Sequence, residues 1–85
     1  MPTVYLNAAL NLKCLLEQAG DIPIRNCNQS LRSRTYNCIA DASYKSKTVQ
    51  GFEPDIQKLK DLWASNAPAK ELAVLIYNCF LFIRK

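Results

Sequence analysis

Between Ile22 and Phe52, Arg25, Arg32, Arg34, Lys45 and Lys47 stand against a single acid, Asp41, so the middle third of the chain carries its whole formal charge of +4. The first 21 residues are slightly acidic, with Lys13 against Glu17 and Asp21, and the last 33 are slightly basic. Binding a phosphate backbone requires Lys or Arg within reach of successive phosphates, with neutral hydrogen-bond donors between them. The stretch from Arg25 to Lys47 supplies both, and Tyr36 and Tyr44 add rings that can stack on unpaired bases. Arg25, Arg32, Arg34, Tyr36, Tyr44, Lys45 and Lys47 are therefore the candidate contacts to RNA, DNA or an acidic protein partner. A solvated basic surface has the same composition, so the meaning of these charges depends on whether the fold brings them together.

Catalytic constellations are missing. The chain has no histidine, which removes the commonest general base at neutral pH and every Cys–His and Ser–His–Asp arrangement. Gly20 and Gly51 are isolated and form no phosphate-cradling loop. Glu53 and Asp55 are the one close acidic pair, and they sit where a helix begins, a place that stabilises negative charge without any acid–base role. The four cysteines, Cys14, Cys27, Cys38 and Cys79, contain no Cys-x-x-Cys pair, and three of them have apolar neighbours. This is the pattern of reduced core thiols and not of a zinc site, and Asn28-Gln29-Ser30 is read as a chance sequon. No enzyme, cofactor or metal is expected.

Four elements must position these residues. Val4, Ala8, Leu12, Leu15 and Leu16 follow the helical period from Thr3 to Ala19, with Leu6 and Leu10 widening the stripe. Thr3 suits the start of this helix and Gly20 its end. Phe52, Ile56, Leu59, Leu62 and Trp63 share a face of another helix that starts near Pro54, and Ser65-Asn66-Ala67-Pro68 closes it. A last helix, about Pro68 to Arg84, begins amphipathic and then turns apolar on every side, ending in Arg84 and Lys85, cations that suit the negative end of a helix.

The middle segment has two readings. As a helix from Ser30 to about Ser46, it places Leu31, Thr35, Cys38, Ile39 and Ala42 on one face, and splits the cations, with Arg32 and Lys47 on one flank and Arg34 and Lys45 on the other. As a β-hairpin over about residues 31–50, it puts Arg32, Arg34, Lys45 and Lys47 on one side, a compact basic patch. Composition, rich in β-formers and poor in helix formers, favours the hairpin. Periodicity favours the helix, which is the preferred reading. The expected fold is a small all-α bundle of about four helices, with α+β as the alternative.

At 85 residues the chain is expected to be a single compact domain, 1–85. A domain of this size buries only roughly 60–65% of its unfolded surface, and such domains often gain stability from a second subunit. The all-round apolar end of the last helix offers a place for one. Tyr77, Phe80, Leu81, Phe82 and Ile83 are the candidate protein interface, and the preferred function is a non-catalytic protein-binding or regulatory domain, self-associating as a homodimer through that helix. Nucleic-acid binding through residues 25–47 is the alternative. Met1 to Tyr5 lack the charged start of a signal peptide, and the longest apolar run, from Ala73 to Ile83, falls well short of the ~20 residues a membrane span requires. A soluble, intracellular protein without membrane partners is expected.

Overall fold

The computed structural model describes residues 3–48 and 54–84, and the side chains of 6–48 and 54–83. Among these residues the chain forms four α-helices: α1 (Thr3–Ala19), α2 (Gln29–Ser46), α3 (Ile56–Ala64) and α4 (Ala69–Arg84), with a 3-10 helix at Ile24–Asn26 between α1 and α2. The fold is a small all-α bundle. The middle segment is helical, so the hairpin alternative falls. Its five expected core positions, Leu31, Thr35, Cys38, Ile39 and Ala42, are the buried residues of α2. Apolar spacing outweighed β-propensity here because the Ser, Asn and Tyr residues that suggested strand mostly point outward, where packing does not depend on them.

The ends of the helices follow local chemistry. Gly20, at φ +59°, provides the left-handed residue that closes α1, and its amide donates to Leu16 O at 3.1 Å. Asn28 caps α2, its Oδ1 accepting from the Leu31 amide at 2.9 Å, and Asp55 caps α3 through the Lys58 amide at 3.1 Å. Asn66, at φ 55°, turns the chain out of α3. The roles expected of Phe52, Glu53 and Lys85, and of the Thr3, Val4 and Arg84 side chains, lie outside the described residues.

Helix α4 is the centre of the bundle. It packs along α1 more extensively than along any other element, and it also contacts α2 and α3. Ala69, Leu72, Ala73, Ile76, Cys79 and Phe82 are its buried face, meeting Leu12 and Leu16 of α1, Cys38 and Ile39 of α2, and Leu59 of α3 in one core. The molecule measures 33 × 27 × 18 Å. α4 keeps an outer strip, on which Lys70, Glu71, Val74 and Asn78 are exposed.

At one end, two loops are stitched side by side. Ile24 N donates to Ala67 O at 2.8 Å, Ala69 N to Ile22 O at 2.9 Å, and Lys70 N to Gly20 O at 3.0 Å. An isolated antiparallel bridge pairs Pro23 with Pro68. These bonds fix the start of α4 against the end of α1, so the two helices run antiparallel. No helix among the described residues is long and apolar enough to cross a membrane.

Candidate functional site

The five basic residues of the middle segment do not form one patch: Arg34, Lys45 and Lys47 each have a different setting. Lys45 turns to the end of α4, where Nζ donates to Phe82 O at 2.7 Å and Ile83 O at 3.2 Å and lies 5.2 Å from the centre of the Phe82 ring. Its charge completes the C-terminus of α4 and balances the helix dipole. Arg34 turns to α1 and donates from Nη2 to Asn11 Oδ1 at 3.3 Å. Lys47 caps α2, and Tyr44 is 73% exposed. This is the division around an apolar stripe that a helical middle segment requires.

Arg25, Arg32 and Tyr36 do come together, and α3 completes their site. The Tyr36 and Trp63 rings lie 5.5 Å apart at 53°, an aromatic pair in the ordinary tilted geometry. The pair is the wall between two shallow clefts. One, of about 350 Å³, is lined by Arg25, Gln29, Arg32 and Asn37 together with the two rings. The other, of about 380 Å³, has Lys60, Ser43, Ala40 and Ile39 on the far side of the same rings. Among the described residues, no carboxylate lines either cleft. The ion pairs there, Lys13–Glu17 and Lys70–Asp21, lie elsewhere.

Two bonds hold Arg25, and a third holds its neighbour Asn26. Its amide donates to Asn66 Oδ1 at 2.7 Å, its Nη2 donates to Ala64 O at 3.1 Å, and Asn66 Nδ2 reaches Asn26 Oδ1 at 3.0 Å. The left-handed turn at Asn66 therefore anchors the 3-10 helix, while the Ala64 carbonyl at the end of α3 orients the guanidinium. Remaining guanidinium donors stay available, since only Nη2 is engaged.

The sequence missed Lys60 and Trp63 as site residues. Trp63 was assigned to the apolar face of α3, and it does pack against the core, but its ring is only half-buried and reaches the rim. The spacing of Lys60 and Trp63, three apart on one helix face, was the signal available. The C-terminal residues also divide. Phe82 is buried, and Phe80 and Ile83 pack against the core, whereas Tyr77 and Leu81 are half-buried outside that cluster. They share the outer strip of α4 with Val74, which is 57% exposed.

No protein-family model, curated protein or solved structure matches the chain.

Another depression, of about 660 Å³, lies between the second half of α2, the start of α3 and α4. Asp55, the one acid among its described lining residues, is engaged as the cap of α3. No group of three or more His, Cys, Asp or Glu side chains that could hold a metal occurs among the described residues. Cys79 is fully buried, and burial, reinforced by the negative charge of Asp55, pushes its thiol up from its ordinary 9.0 to about 11, so it stays protonated and unreactive at neutral pH. The arrangement suits binding of an anion and a flat ring.

Proposed function

We propose that this chain is a small, non-catalytic nucleic-acid-binding domain working through the face formed by the 3-10 helix, α2 and α3. The observation that carries the proposal is the Tyr36–Trp63 pair flanked by Arg25 and Arg32 on one side and Lys60 on the other, without a carboxylate in the lining. Cations supply attraction to phosphate, and exposed rings can add stacking on bases. The test is a mobility-shift titration at several salt concentrations. Three cations predict a log–log slope of roughly −2 to −3, at ~0.7–0.9 per phosphate neutralised. Arg32→Gln reduces that slope by about one such step, while Arg34→Gln, on the opposite flank, leaves it unchanged. Absence of any shift at low salt removes the reading.

A second reading, self-association as a homodimer, is supported by the outer strip of the α1–α4 pair. Val74, Tyr77 and Leu81 lie at helical spacing on α4, and Leu6 and Leu10, 38% and 42% exposed, lie on α1. α1 and α4 pack along one another more extensively than any other pair of elements. Light scattering tests this: a dimer mass that Val74→Asp converts to monomer supports it, and a monomer at micromolar concentration ends it. In either reading the domain is taken to be soluble and intracellular, where a reducing environment suits the buried Cys27 and Cys79 thiols.

A further inference from the structure

We infer that the α2–α3 face selects single-stranded over duplex nucleic acid, by stacking an unpaired base against Tyr36 and Trp63 while Arg25 and Arg32 hold the phosphate on one side of it and Lys60 the phosphate on the other. This rests on the nucleic-acid reading above and specifies its ligand.

The geometry carries the inference in three ways. The two rings lie between the cationic groups: the clefts on both sides share Tyr36 and Trp63, so a strand running from one cleft to the other passes over the rings. Tyr36 is 55% exposed, and an aromatic face that open is a platform every base can use, whereas bases paired inside a duplex present no free face. The distance also fits a short strand. The clefts extend along α2 from Gln29 to Ser43, and fourteen helical steps of ~1.5 Å make about 21 Å. Stacked nucleotides advance ~3.4 Å each, so roughly six fill that length. The neutral donors Gln29, Asn37 and Ser43 along the same path can serve sugar and phosphate oxygens without imposing a sequence.

Trp63 is the chain's one tryptophan, which makes the site report on itself. The experiment titrates the full chain at low salt with a thymidine hexanucleotide, a uridine hexanucleotide, a duplex of about twelve base pairs and a hexaglutamate peptide, reading Trp63 fluorescence and mobility together. The expected result is quenching by the hexanucleotides, with weaker binding and no quenching by the duplex. The thymidine and uridine arms distinguish DNA from RNA as the preferred strand. Tyr36→Ala should weaken hexanucleotide binding roughly 5- to 140-fold, the ~1–3 kcal/mol of one stacked base converted at ~1.4 kcal/mol per tenfold. Tyr36→Phe should retain most of the affinity, because the ring remains. Circular dichroism of each variant confirms that the helices are intact.

Equal binding of duplex and hexanucleotide, or full affinity in Tyr36→Ala, overturns the single-strand inference and leaves the phosphate-binding reading standing. Failure of every oligonucleotide to bind removes both readings. Hexaglutamate binding as tightly as the hexanucleotides, without quenching, overturns the inference in favour of an acidic protein partner.

Discussion

Thr35 is the residue whose chemistry least matches its place. It is fully buried among the apolar residues of α2, and its Oγ1 has no hydrogen-bond partner among the described residues. An unpaired hydroxyl in a core costs about 1–3 kcal/mol in desolvation. Replacing it with a methyl group of the same shape removes that cost, so Thr35→Val is expected to stabilise the protein by about 1 kcal/mol, read as a raised urea midpoint with unchanged slope. Cys79 gives a prediction with a definite sign. Its folded-state thiol is held above its ordinary value, so above pH 9 the unfolded chain releases a proton that the folded chain retains. Stability from this group is fully present below pH 9 and is lost as pH rises toward about 11. Denaturant midpoints measured across that interval should fall more steeply for the native chain than for Cys79→Ala. A parallel fall in the two proteins would place the alkaline sensitivity elsewhere.

At the scale of the helices, much was legible before any coordinates. The bounds of α1 and α4, and the buried face of α2, follow from apolar spacing and from the residues that open and close helices. What the sequence does not display is which flank of one helix meets which flank of another. Arg25 and Asn66 are 41 positions apart, and Lys45 and Phe82 are 37 apart, yet each pair is bonded. Nothing local to either member marks the contact, since packing of α4 against its neighbours creates it. For the same reason Phe82, a candidate interface residue from its sequence, lies in the core, and Trp63, on the apolar face of α3, also reaches the rim. In a helix apolar all round, hydropathy has no direction, and only the positions of α1, α2 and α3 assign one. The Lys45 contact yields a test of this cross-helix pairing. Lys45→Met keeps the aliphatic stem but loses two bonds to the last carbonyls of α4 and the charge over the Phe82 ring. A loss of about 1–2 kcal/mol in urea unfolding is expected, and an unchanged midpoint would show that the charge contributes nothing there.

Over the whole molecule, stability and the candidate site meet at the stitched end. Asn66 adopts a left-handed conformation and bonds both the Arg25 amide and the Asn26 side chain, so one residue closes α3 and anchors the backbone that carries a site cation. Asn66→Gly keeps the turn and loses the bonds, at an expected cost of about 1 kcal/mol. Asn66→Ala adds the strain of a left-handed Cβ, raising the cost to about 2 kcal/mol. Thermal or urea unfolding of the two variants should give that order, and both should bind oligonucleotide more weakly than the native chain, because Arg25 loses its anchor.

The same stitching has a consequence for how the molecule opens. The amides of Ile24, Ala69 and Lys70 are committed to partners across the two loops, so none can meet solvent deuterium until that junction parts. In native-state hydrogen exchange they should be among the slowest amides outside the helix interiors. A strand held by Arg25 would pull on the same junction from the surface. Adding the hexanucleotide should then slow exchange at Ile24 and Ala69, two buried positions that no nucleotide touches.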